Sequence, residues 1–257
     1  MAGRIYAGVG GWTFEPWRGV FYPKGLPHKR ELEFAARALT AIEINGTYYS
    51  SFPRATWARW HSETPDGFVF TVKASRFATN RKSLPDAAPS IEKFLGQGLT
   101  ELKEKLGPIN WQLAPTKRFD AGEMRAFLAL LPDARDGVPL RHAIEVRHDS
   151  FACKAFIDLA AERGIAIVHA ESDTYPRIAA KTASFTYARI MKARERLKQG
   201  LPNAELDALA DQARTWTKAG DAYVFFISAA KVRNPAAAQA FLRRVRNEVI
   251  PPTPRRR

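Results

Sequence analysis

AIEINGTYYSSFPRATWARWHSETPDGFVFTVKAS, residues 41–75, decides the fold. Short apolar or alternating runs open and close it, at 41–49 and 68–75. Between them, 53–63 carries apolar residues at helical spacing behind Pro53, a residue suited to a helix start. This is a strand–helix–strand unit, and the rest of the chain repeats it.

Further strands are expected at 4–12, 108–114, 142–147, 165–171, 184–191 and 221–228, with helices at 28–39, 88–105, 121–131, 151–163, 203–219 and 235–249. Strands alternating with helices over 257 residues predict an α/β fold, a single-domain TIM-type (β/α)8 barrel over 1–250. A doubly wound open sheet is the competitor. The span 172–183 (SDTYPRIAAKTA) contains a proline and is too short for a regular crossover helix, so the barrel should be irregular around the sixth and seventh strands. The final PPTPRRR, 251–257, reads as an extended, disordered tail.

Side chains at i and i+2 share one face of a strand. With Ile42 and Ile44 packed on helices, Glu43, Asn45 and Thr47 face the barrel axis. The same alternation turns Thr71 and Lys73, Asn110 and Gln112, Glu145 and Arg147, His169 and Glu171, and Tyr187, Arg189 and Met191 inward. In this fold the C-terminal ends of the strands carry the chemistry, and the polar residues gather there. Three glutamates and three cations could simply neutralise one another. Buried ion pairs stabilise poorly, however, so a core built for stability alone would rarely hold three of them, and the pattern favours a ligand pocket.

Several chemistries are open to such a pocket. Glu43 and Glu145 could serve glycoside hydrolysis if one stayed protonated, but neighbouring Lys and Arg favour both ionised forms. Glu43, Glu145, His169 and Glu171 could hold a divalent metal, although interleaved cations repel one and no ligand-spacing motif is present; no cofactor is expected. Lys73, Arg147 and Arg189 suit phosphate or carboxylate oxygens, with Glu43, Glu145 or His169 handling a proton as the candidate catalytic groups. Trp12 and Tyr48 are the aromatic residues expected to reach the pocket, while Trp57 and Trp60, at helical spacing, belong to the core. Cys153, the single cysteine, reads as core beside Phe156, Ile157 and Ala160 and suits a reducing cytoplasm.

The formal net charge is +14, with a pI near 10.1. That balance predicts an anionic partner, either a phosphorylated small molecule or nucleic acid. Basic residues cluster after the third strand (Arg76, Arg81, Lys82), the seventh (Lys192, Arg194, Arg196, Lys198) and the eighth (Lys231, Arg233), on the expected C-terminal rim. No run is long and apolar enough for a membrane span, and an apolar fraction of 46% excludes a wholly disordered chain.

GVGGWTFEPWRGVFYP (8–23), IEINGTYYSSFP (42–53), TPDGFVFTVKASRFAT (64–79), LGPINWQLAP (106–115) and AIEVRHDSF (143–151) together resemble the YecE-like family, domain of unknown function 72. The resemblance implies a TIM-type barrel with a polar pocket at Trp12, Glu43, Asn45, Tyr48, Lys73, Gln112, Glu145 and Arg147. It transfers no reaction. The chain departs from the family pattern at Thr79–Asn80, Glu171, Met191–Lys192 and Ile227–Ser228, which removes two histidines and marks a divergent, more basic branch. The expected function is binding, and perhaps processing, of a phosphate-bearing ligand, nucleic acid being favoured. A hydrolase or isomerase of small sugars or sugar phosphates and a non-catalytic scaffold are the alternatives.

Overall fold

Alternating strands and helices form a mixed α/β barrel in the computed structural model, which describes residues 3–246. In chain order the elements are β1 (Ile5–Gly10), α1 (Glu31–Ala38), β2 (Ala41–Ile44), α2 (Arg54–Ser62), β3 (Val69–Lys73), α3 (Arg76–Thr79), α4 (Ala88–Leu95), β4 (Leu106–Gln112) and α5 (Ala121–Ala129). A short hairpin, β5 (Ala134–Arg135) and β6 (Val138–Pro139), precedes β7 (His142–Glu145), α6 (Lys154–Glu162), β8 (Ala166–Ile167), β9 (His169–Glu171), β10 (Thr186–Ile190), α7 (Asn203–Trp216), β11 (Ala222–Phe226) and α8 (Asn234–Val245). Residues 251–257, expected to form a tail, lie outside the described residues.

Nine parallel strands follow one another in the order β8–β7–β4–β3–β2–β1–β11–β10–β9. The two ends of that order, β8 and β9, are halves of the expected sixth strand. Ala166–Ile167 pairs with β7 and His169–Glu171 with β10, so the strand exchanges partners at Val168 and brings the sheet round into a nearly closed barrel. Val168 still donates its N–H to the Ile144 carbonyl at 2.9 Å, which extends the β7 ladder to the exchange point. No helix forms between β9 and β10, in agreement with the short 172–183 segment.

Several boundaries differ from expectation. The strand expected over 41–49 ends at Ile44 and a 3-10 turn follows over Gly46–Tyr48, so strand alternation does not carry on to Thr47, whose hydroxyl donates to the Ile44 and Lys73 carbonyls. The helix expected over 88–105 stops at Leu95, where Gly96 and a left-handed Gly98 (φ 100°) interrupt it, and 3-10 turns follow from Leu99 to Lys105. α6 begins at Lys154, so Cys153 caps it rather than sitting inside, half-buried against the core.

Apolar side chains fill two layers. The larger one lies between strands and helices and takes in Ile42, Ile44, Trp57 and Trp60. The smaller one fills the barrel itself, with Ala41, Val69, Ala143, Val168, Phe185, Tyr223 and Phe225. Toward the N-terminal end of the strands Tyr6 stacks on Tyr223 with centroids 5.2 Å apart, and Arg141 Nη1 donates to the Tyr223 hydroxyl at 2.6 Å. That end is plugged, which leaves polar side chains to the other.

Buried His142 links the strands to the α5 side of the molecule: its Nδ1 accepts from Trp111 Nε1 at 3.0 Å and its Nε2–H donates to the Pro132 carbonyl at 2.8 Å. The bond accepted from Trp111 requires a neutral Nδ1, and burial lowers the His142 pKa against the opposing pull of the Pro132 carbonyl. The unfolded chain takes up this proton as pH falls below about 6.5 while the folded protein resists it, so stability must decline there. The urea midpoint should fall between pH 7.5 and 5.5 more steeply in the wild type than in His142→Gln, and equal slopes would contradict this account.

Candidate functional site

Regular alternation along β2, β3, β4, β7 and β10 brings polar residues together at the C-terminal end of the barrel. Ladder register sets Glu43 beside Thr71, Lys73 beside Asn110, and Gln112 beside Glu145. Arg189 enters from β10, two residues beyond Tyr187, on the same face.

Arg189 is the centre of the cluster. Its Nη2 donates to Glu43 Oε1 at 2.9 Å and its Nη1 to Glu145 Oε2 at 2.5 Å, all three side chains being buried. The second oxygen of Glu43 accepts from the Tyr187 hydroxyl at 2.6 Å, and Tyr187 lies 3.0 Å from Thr71 Oγ1. Glu145 accepts further bonds from Gln112 Nε2 (2.9 Å), Asn110 Nδ2 (3.2 Å) and Arg147 Nε (2.9 Å). Arg147 also donates to the Tyr175 hydroxyl and lies over that ring, 4.3 Å from its centroid.

Lys73 differs from these cations. Among the described residues it makes no hydrogen bond or ion pair; its Nζ stands 4.2 Å from the centroid of the Tyr48 ring. Tyr48 is held in turn by Asn80 Nδ2 at 2.8 Å. Burial and the nearby Arg189 charge lower the Lys73 pKa to about 8, against the pull of Glu43 and Glu145. Burial alone would raise the Glu145 pKa, but Arg189, Arg147 and the Gln112 amide hold it at about 2. Glu145 therefore stays ionised at neutral pH and cannot act as the proton-bearing acid of a glycosidase pair. Three buried polar atoms around this cluster lack a partner: Asn45 Oδ1, Asn110 Oδ1 and Arg189 Nε. Asn45 fits here because Gly10 has no side chain; a Cβ at that position would stand 2.4 Å from Asn45 Nδ2.

Glu43, Glu145, Asn45, Lys73, Gln112, Arg147 and Arg189 thus come together as alternation predicts, and Tyr48 joins them as the aromatic expected beside the pocket. His169 does not. Register pairs Ala170 with inward Arg189, so His169 and Glu171 face the helices, where the imidazole packs 5.2 Å from Trp216 of α7 and bonds Glu171 at 2.9 Å. Removing Glu171 from the interior alters its charge, since two carboxylates now face three cations. Trp12 also departs from expectation: its ring packs on Trp60 and Phe70, centroids 5.0 and 6.2 Å away, in the helix–strand layer. Tyr175 and Thr71 complete the cluster; Thr71 was legible from alternation, whereas Tyr175 sits in an aperiodic segment that offers no signal.

The rim is basic but partly self-paired. Lys192 bonds Glu171 and Asp173, and Arg194 bonds Glu205. Arg76, Lys82, Arg196 and Lys198 are exposed and form no ion pair among the described residues. No group of three or more His, Cys, Asp and Glu side chains among the described residues is arranged to hold a metal ion, and no described helix is long and apolar enough to cross a membrane.

Against known proteins, the chain matches the family described as "Protein of unknown function DUF72" over residues 6–257. It is similar to the crystal structure of a DUF72 family protein (TM1631) from Thermotoga maritima MSB8, with 21% identity, TM-score 0.72, and coverage of 95% of this chain and 98% of that one. A DUF72 family protein (EF0366) from Enterococcus faecalis V583 is 16% identical, with TM-score 0.69 and coverage of 96% and 99%. More distant is 3-keto-D-glucoside 4-epimerase, YcjR, from E. coli, at 14% identity and TM-score 0.55, with coverage of 95% and 100%. At these identities the likeness is one of fold. No curated protein matches the chain.

Two measurements check the electrostatics. Glu145→Gln leaves buried Arg189 short of a counter-charge and should cost about 3–5 kcal/mol in urea unfolding, a loss below 1 kcal/mol contradicting the network's role. Reductive methylation followed by NMR titration should give Lys73 a midpoint near pH 8, well below the other lysines, whereas a midpoint near 10.5 would show it to be solvated.

Proposed function

The chain belongs to the DUF72 family of proteins of unknown function, and from that premise we propose that the barrel mouth binds a phosphate-bearing ligand, with nucleic acid the favoured class. One observation carries the reading: Lys73 is a largely desolvated cation without a counter-ion, beside a cluster whose other charges are paired. A buried charge is costly alone, so a bound anion would supply the missing partner. Phosphate oxygens at Lys73 would also lie within reach of Arg147, which uses one face on Glu145 and is less buried than Arg189. Asn45 and Tyr48 border the same space and would orient the ligand.

Nucleic acid is favoured over a free phosphorylated metabolite because exposed Arg76, Lys82, Arg196 and Lys198 extend the positive surface beyond the mouth. A duplex or strand carries phosphates at regular spacing and would engage several of them at once. Two carboxylates already committed to Arg189 point to binding as the primary role of the mouth, with Glu43 and Glu145 shaping it through that arginine.

The test is oligonucleotide binding as a function of salt and pH. Affinity should fall steeply with salt, and Lys73→Met should weaken binding and lower the salt slope by about 1 while leaving the fold intact, since Lys73 makes no bond to lose. Protonated Lys73 is the binding form, so affinity should also drop as pH rises through about 8, and the variant should lack that step. Salt-independent binding, or a variant with wild-type slope and pH profile, would refute the proposal.

A further inference from the structure

Two aromatic side chains stand unusually far out of the surface beside the mouth. Tyr49 is 64% and Phe77 59% exposed; among the described residues the only other large hydrophobic side chain so exposed is Val20. Tyr49 follows the turn after β2 and Phe77 lies in α3 after β3, and the pairing of β2 with β3 makes these loops neighbours. The Arg76 guanidinium sits between the rings, 5.8 Å from the Tyr49 centroid and 5.3 Å from that of Phe77.

Between these loops and α4 runs a cavity of about 380 Å³, lined by Tyr49, Phe77, Thr47, Ser50, Ser51 and Ser75 together with Lys93. No Asp or Glu lines it. Its walls are held in place: Thr47 Oγ1 donates to the Lys73 carbonyl at 2.6 Å, tying one loop to the other, and Ser75 Oγ accepts from the Phe77 N–H at 3.3 Å. The groove adjoins the mouth, because Tyr49 packs edge-on against Tyr48 at 5.0 Å, and Tyr48 is the ring beneath Lys73.

We propose that this groove receives the unpaired bases of a single-stranded nucleic acid whose backbone crosses the mouth at Lys73, with Tyr49 and Phe77 as stacking platforms. The inference rests on the reading of the mouth as a phosphate site and adds to it a strand preference. Rings on the surface with a cation near both, serines among the lining and no acidic residue there match the chemistry of a base with its phosphate. In a duplex the base faces are covered by their own neighbours, so only a single strand can offer them to Tyr49 and Phe77.

Fluorescence anisotropy with a short oligothymidylate and with a matched duplex tests the assignment on the full chain. The wild type should bind the single strand more tightly than the duplex. Tyr49→Ala with Phe77→Ala, at exposed positions that leave the core untouched, should weaken single-strand binding at least tenfold, leave duplex binding unchanged and preserve the salt slope, because no charge is removed. Arg76→Gln should instead lower the slope. Wild-type affinity in the double variant, or a preference for duplex, overturns the groove while leaving the phosphate site standing. A change in sedimentation of the double variant also overturns it, by assigning the rings to contact between copies. Binding of neither probe by the wild type overturns both readings.

Discussion

The fork that Arg189 drives between Glu43 and Glu145 is the constraint on which the barrel mouth depends. Glu43, Arg189 and Glu145, from β2, β10 and β7, are buried together, and each tolerates burial only while its partners stay within hydrogen-bond reach. The remaining lone pairs must be filled as well, which gives Tyr187, Gln112, Asn110 and Arg147 their positions. β7 and β10 are not neighbours; between them lies the split sixth strand, where the ladder changes partner at Val168. The Arg189–Glu145 bond crosses that weak sector from one side to the other and ties the barrel where its main-chain pairing is thinnest.

Such a network is a poor choice for stability alone. Replacing a buried ion pair by well-packed apolar residues is often neutral or favourable, and the lower half of this barrel shows that apolar filling is available to the fold. What the charged layer supplies is a rigid frame. With every oxygen of both carboxylates hydrogen-bonded, the cluster leaves little freedom to its members and presents upward the groups it has not used: the Lys73 ammonium, an edge of Arg147 and the amide of Asn45.

Alternation made most of this legible before any coordinates. It works on β2, β3 and β10 because each has apolar residues on its helix-facing side, Ile42 and Ile44, Phe70 and Val72, Ala188 and Ile190, which leaves no doubt where Glu43, Lys73 and Arg189 point. It fails on IAIVHAE (165–171), where both faces are apolar: Ile165 and Ile167 pack outward, Val168 and Ala170 inward. There the polar residues seemed to mark the interior, yet His169 and Glu171 satisfy each other on the helix side, in the space a crossover helix would fill. Trp12 follows Gly11 at φ +71°, a turn that periodicity cannot follow, and its ring ends in the helix layer. Tyr175 belongs to the aperiodic crossover and becomes part of the site only through the path that segment takes over Arg147.

The reversal of the sixth strand changes what the net charge of +14 means. With Glu171 counted inside, the pocket is neutral and the positive surplus is entirely a surface property, screened within about 8 Å at physiological salt. With Glu171 outside, one uncompensated positive charge remains at the mouth, in a partly desolvated place where screening is weak. The two populations then act at different ranges. Rim cations raise the local concentration of any polyanion and set its encounter rate, without choosing among ligands. Lys73 would act only on an oxygen brought close enough to displace its contact with the Tyr48 ring, so under the proposed reading discrimination would reside at the mouth and attraction on the rim.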